Sequence, residues 1–182
     1  KAADHAMELG DTSALHSIIA ARAAHELREF DKRDAYLADT GDKTVGETTM
    51  RLMAKAQFQL DQKQPQSALN SLKELSDSGI RKHVGALGLE LKAQQQARDW
   101  DAVLDVITQL EKRNAIDKLA ADQLRQQAWL EKLRGQTQDI AALRGLWKSI
   151  PGEFKHRSKI AAAGARAFSQ LGDCHSAQQL LA

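Results

Sequence analysis

The stretch Phe30-Asp31-Lys32-Arg33-Asp34-Ala35-Tyr36-Leu37 returns along the chain in altered form. It comes back as Gln64-Pro65-Gln66-Ser67-Ala68-Leu69, as Arg98-Asp99-Trp100-Asp101-Ala102-Val103-Leu104 and as Leu171-Gly172-Asp173-Cys174-His175-Ser176-Ala177. Ala35, Ala68 and Ala102 recur at intervals of 33 and 34 residues. Two further steps, through a degenerate copy at Ile140-Ala141, lead to Ala177. An interval in the thirties marks a repeat architecture in which each unit is a helical hairpin that cannot bury its apolar face alone. Stacked hairpins of this kind present extended binding surfaces.

Between these restarts the apolar residues fall three and four apart, the spacing of one helix face. Leu15, Ile18, Ile19, Ala23 and Leu27 form such a stripe in a helix running to Phe30, with Thr12 or Ser13 as its cap and residues 1–9 as the tail of an earlier repeat closed by Gly10-Asp11. A short helix is expected from Asp34 to Asp39, then a loosely ordered stretch from Thr40 to Gly46. Met50, Met53, Ala54, Gln57 and Leu60 line the next helix, and Pro65 suits the first turn of its partner, where the missing N–H costs nothing. Val84, Leu87, Leu91 and Ala97 precede Val103, Leu104, Ile107 and Leu110; Ile140, Leu143, Leu146, Trp147 and Ile150 follow a turn at Gly135. Pro151-Gly152 stops that helix, and a fifth pair starts near Phe154. The pairs span about 12–39, 47–78, 81–114, 117–150 and 154–182 of one continuous stack. With no stretch of period two, the expected fold is all-α: a tetratricopeptide-like (TPR-like) right-handed superhelix of stacked antiparallel helix pairs.

Composition agrees. Aromatic residues make up only 4% of the 182 positions, which disfavours sheet. The net charge of +2 comes from 26 basic and 24 acidic side chains, with no basic run longer than two. Nucleic-acid binding needs a concentrated basic face, so nucleic acid is not an expected partner. One cysteine, Cys174, excludes a disulfide framework. No stretch approaches the ~18 apolar residues of a membrane span.

Chemistry-bearing motifs are scarce. There is no glycine-rich phosphate loop and no dinucleotide fingerprint. His25-Glu26-Leu27-Arg28-Glu29 has Glu29 where a zinc-protease helix needs its second histidine. Cys174-His175 could offer sulfur and imidazole to a metal or a haem iron, but no second cluster lies near it in sequence. Trp100 and Trp147 read as core, and Trp129 falls between the apolar stripe and the polar face. No catalytic, cofactor or metal residues are assigned, and an enzyme is not expected.

What remains is a surface. Placing Leu27, Leu60 and Leu171 at equivalent helix ends turns Arg22, His25, Arg51, Lys55, Lys159 and Arg166 toward the concave side lined by the first helices. A basic groove there would suit acidic peptide segments, chain-terminal carboxylates or the propionates of a porphyrin.

The run Ala20-Ala21-Arg22-Ala23-Ala24-His25-Glu26-Leu27-Arg28-Glu29-Phe30, continuing to Ala38, resembles the start of the soluble part of the HemY family, TPR-containing inner-membrane proteins of proteobacteria. The segments Gln64–Leu69, Asp99–Leu104 and Leu143–Pro151 are similar as well. The resemblance implies a parent anchored in the inner membrane by two N-terminal helices, with the repeats on the cytoplasmic side by the positive-inside rule. It also implies a link to late protohaem synthesis, with ferrochelatase or its pathway neighbours as protein partners. The expected function is therefore a non-catalytic scaffold. The alternatives are a haem or porphyrin carrier using His25, Cys174 or Trp129, and a peptide-binding repeat protein unrelated to haem.

Overall fold

The computed structural model describes residues 2–79, 83–136 and 138–180, with side chains from Ala14 onward. The expected pair edges at 81 and 182 lie outside the described residues. Among the described residues there are eleven helices and no strand. The chain divides into two compact units, 1–98 and 99–182, where the sequence reading has one stack. The boundary falls inside the expected third pair, at the turn Arg98-Asp99.

The first unit holds α1 (Ala2–Glu26), α2 (Phe30–Asp39), α3 (Val45–Asp61), α4 (Pro65–Asp77) and α5 (Val84–Ala97). Here α1 packs on α2 and on α3; α3 packs on α2, α4 and α5; and α4 packs on α5. Within this unit α1 and α3 thus each touch their own partner and the next first helix, and α2 and α4 also lean on the next first helix. A core of Leu52, Ala56, Leu60, Ala68, Leu72 and Leu75 fills the space around α3 and α4. Ala21, Leu37 and Phe58 form a smaller cluster where α1, α2 and α3 meet.

Two expectations for α1 fail. The helix continues through Gly10-Asp11-Thr12-Ser13 without a break. One glycine costs about 1 kcal/mol against alanine in a helix, and the alanine-rich flanks outweigh it. Most large residues of the expected stripe also face outward: Leu15, Ile19 and Leu27 are exposed and only Ile18 packs on the core, while Ala14, Ala21 and Ala24 are buried. Small side chains bring α1 close to its neighbours, so the contact face is marked by methyl groups instead of bulk.

Four of the turns within pairs pass through a left-handed residue. Arg28, Lys63 and Arg98 take left-handed backbone conformations 35 residues apart, and Gly172 does the same at the last pair. After Arg28, the Glu29 N–H donates to the carbonyl of Ala24 at 2.8 Å; after Lys63, Gln64 donates to Gln59 at 2.8 Å; after Gly172, Asp173 donates to Phe168 at 2.9 Å. This six-to-one bond closes the helix by satisfying a carbonyl that lacks a partner in the last turn. The stretch before α3 is also built: Thr44 accepts from the Glu47 N–H, and the Glu47 carboxylate accepts from the N–H groups of Thr44 and Lys43. That capping box holds a segment expected to be loose.

The second unit holds α6 (Trp100–Lys112), α7 (Lys118–Gly135), α8 (Ile140–Ser149), α9 (Gly152–Lys155), α10 (Ser158–Gln170) and α11 (Cys174–Gln179). Asp99, Asp117, Asp139 and Asp173 cap α6, α7, α8 and α11 by accepting backbone N–H bonds. The neighbour pattern repeats: α7 packs on α6, α8 and α10, and α10 packs on α8, α9 and α11. The core contains Leu133, Leu143, Ile150, Phe154, Ile160 and Phe168. Trp129 joins it as the most buried of the three tryptophans, and Trp147 packs against its edge.

The turn geometry corrects the alanine register. In four of the pairs the residue four places after the cap (Gln64, Asp99, Asp139, Asp173) is Ala68, Val103, Leu143 or Ala177, and all four are buried; after Glu29 it is Arg33, partly exposed. Ala35 is exposed and Ala102 half-buried. The repeat is therefore aligned by its caps, and the recurring alanine is only partly equivalent.

Candidate functional site

The six basic residues expected to share one groove do not share one setting. Arg22 is exposed and pairs with Glu26, one turn along α1, at 3.4 Å. His25 is packed instead of free. Its ring stacks on Phe58 at 4.6 Å between centroids, its Nδ1 lies 3.3 Å from Arg33 Nη1, and its Nε2 lies 3.8 Å from Asp61. Arg33, missed in the sequence reading, is held at the same junction over Phe30 and by Asp34 at 2.7 Å.

Arg51 and Lys55 lie one turn apart on α3 and line a groove of about 410 Å3 with α2. Leu37 and Phe58 are its apolar wall, and Arg33 and Asp34 stand on the α2 side. Lys159 and Arg166 lie on α10 and line a separate groove of about 380 Å3 with α7, together with Arg134 and Gln170. Its floor is Leu133, Ala163 and Ala167. Arg134 is paired with Glu131. The side chains of Arg51, Lys55, Lys159 and Arg166 make no hydrogen bond or ion pair among the described residues.

The separation has a geometric cause. Leu27 and Leu171 immediately precede the left-handed residues Arg28 and Gly172, but Leu60 lies three places before Lys63. The residue equivalent to Leu27 in α3 is Gln62. Two residues of offset turn a side chain by about 200° around a helix. Lys55 therefore faces a second helix, α2, and Arg51 stands between that groove and a hollow lined by Asp42 and Glu74, whereas Lys159 and Arg166 face a neighbouring first helix, α7. In α3 the position equivalent to Arg22 and Arg166 is Gln57, which donates to Asp61 at 2.8 Å.

Cys174 is exposed, and His175 contacts Gln179 within α11. Among the described residues no group of three or more His, Cys, Asp or Glu side chains gathers as a metal site, and no helix is long and apolar enough to cross a membrane. Among the described residues Asp173 is the one acid held far below its usual range: the Arg144 guanidinium, then the N–H and hydroxyl of Ser176, lower it to about 2. That arrangement ties α8 to the start of α11 at 2.7 Å and serves the fold. No family model, curated protein or solved structure matches the chain.

Proposed function

We propose that this chain is a non-catalytic scaffold whose helix pairs form a TPR-like right-handed superhelix and hold acidic segments of partner proteins. The observation that carries the reading is the α7–α10 groove, where Lys159 and Arg166 stand unpaired seven residues apart over a floor of Ala163, Ala167 and Leu133. A rise of 1.5 Å per residue puts those two cations about 10 Å apart along α10. Cations at both ends of an apolar floor suit a peptide with two carboxylates flanking a small apolar side chain. The stacking of α1 on α3 and α3 on α5 in the first unit, and of α7 on α10 in the second, supports the repeat reading, because that pattern lines first helices side by side.

The proposed setting is the bacterial inner membrane, in a parent anchored there and facing the cytoplasm. The proposed partners are late haem-pathway proteins such as ferrochelatase. This part rests on the resemblance of residues 20–38 to the HemY family.

Fluorescence anisotropy with a labelled acidic peptide tests the groove. Lys159→Glu with Arg166→Glu should abolish binding; both side chains are exposed, so the helix should survive, as circular dichroism will report. Unchanged affinity overturns the groove. Capture from a bacterial membrane extract, with the same double variant as control, tests the partner. Enrichment of ferrochelatase supports the haem link; enrichment of unrelated envelope proteins removes it while leaving the scaffold.

A further inference from the structure

The groove between α2 and α3 carries a second, independent reading. We propose that it binds a phosphomonoester borne on a small organic body. The charges come first. Arg33 is already matched by Asp34, so the unmatched lining charges are those of Arg51 and Lys55, two positive units one helical turn apart. A phosphomonoester carries about −1.5 to −2 at neutral pH, which balances them; a single carboxylate leaves half the charge unmet.

The donor set fits the same group. Arg51 Nε is shielded from solvent and makes no hydrogen bond within the protein, and among the described residues it is the only buried side-chain nitrogen or oxygen of which this is true. A buried N–H without an acceptor is costly, so any turn of the guanidinium that brings this edge to an oxyanion is favoured. Guanidinium and phosphate then meet through two parallel hydrogen bonds, and Lys55 supplies a point charge beside them. Gln62 and Gln64 at the mouth add neutral donors. Behind these groups, Leu37 and Phe58 form an apolar wall against which the organic body can lie. A groove of about 410 Å3 falls in the size range of small-molecule sites.

The test uses the whole chain with phenyl phosphate as probe, and benzoate and inorganic phosphate as comparisons, followed by amide shifts in nuclear magnetic resonance. Saturable shifts confined to α2 and α3 are expected, with benzoate and inorganic phosphate each at least tenfold weaker. Arg51→Gln should weaken phenyl phosphate at least tenfold, and Lys55→Gln should do so if the first variant melts early. The double variant Lys159→Glu with Arg166→Glu should leave this binding unchanged, so the site stands or falls apart from the α7–α10 groove. Equal affinity for benzoate overturns the dianion. Equal affinity for inorganic phosphate overturns the organic body. Shifts scattered over the surface, or no effect of either glutamine variant, overturn the site.

Discussion

Gly164 on α10 lies directly under the indole of Trp147 on α8: a Cβ at position 164 would stand 2.5 Å from Cζ3 and 3.0 Å from Cε3. Glycine inside a helix costs about 1 kcal/mol relative to alanine, so helix propensity alone favours Gly164→Ala. The rigid ring decides the other way. Gly164 is buried, and Trp147 is held edge-on to Phe168, 6.3 Å between centroids. Gly164→Ala should lower stability by about 1–3 kcal/mol, the usual cost of overpacking. Thermal melting checks this, and Trp147→Leu in the same chain should recover part of the loss.

Arg28, Lys63 and Arg98, the side-chain-bearing residues at the left-handed positions of turns within pairs, are strained where glycine would not be. Such a conformation costs an L-residue roughly 1–2 kcal/mol, offset in part by the unfolded-state freedom of glycine. Lys63→Gly should therefore stabilise the chain by about 0.5–1 kcal/mol. Gly172→Ala, at φ +83°, should destabilise by about 1 kcal/mol. Chemical denaturation of both variants gives the comparison, and opposite signs are expected.

Acid should loosen the second unit through Asp173. Its carboxyl is lowered to about 2, against about 3.9 for the unfolded chain. A depressed carboxylate contributes stability that is present above the unfolded value and lost as pH falls from about 4 through about 2. Asp173→Asn should abolish that dependence, and Arg144→Met should move it to higher pH. Acid unfolding followed by tryptophan fluorescence reads both, since all three tryptophans lie in this unit.

Ala68 and Ala102 look alike in the repeat but should respond differently to enlargement. Ala68 is fully buried in the α3–α4 core, so Ala68→Leu should cost about 1–3 kcal/mol. Ala102 is half-buried beside the buried Val103, and Ala102→Leu should stay within about 0.5 kcal/mol, as changes at partly open sites usually do. Equal losses in a melting series would restore the alanine register in place of the cap register.

Helix was legible throughout because apolar spacing and cap chemistry are local. Pro65 stands at the first turn of α4, and Asp99 and Asp173 start the helices expected after their turns. Leu60, Leu87, Val103, Ile107, Leu110, Leu143 and Ile150 lie on the expected stripes and are buried. The α1 contact face was not legible, since Ala14, Ala21 and Ala24 are marked by closeness of approach, and bulk at Leu15 and Ile19 pointed elsewhere. Arg33 escaped notice because its neighbours, His25, Phe30 and Phe58, lie on three different helices.

The sequence by itself determined the helices and their spacing in pairs, because propensity, periodicity and capping act within a few residues. Only the tertiary structure decided which way the basic residues face. That depends on where each turn places its left-handed residue, and Arg28, Lys63 and Arg98 carry no glycine to announce it. A two-residue error in that register swings a side chain to the far side of its helix. Arg51 and Lys55 therefore line a groove against a second helix, and Lys159 and Arg166 one against a first helix.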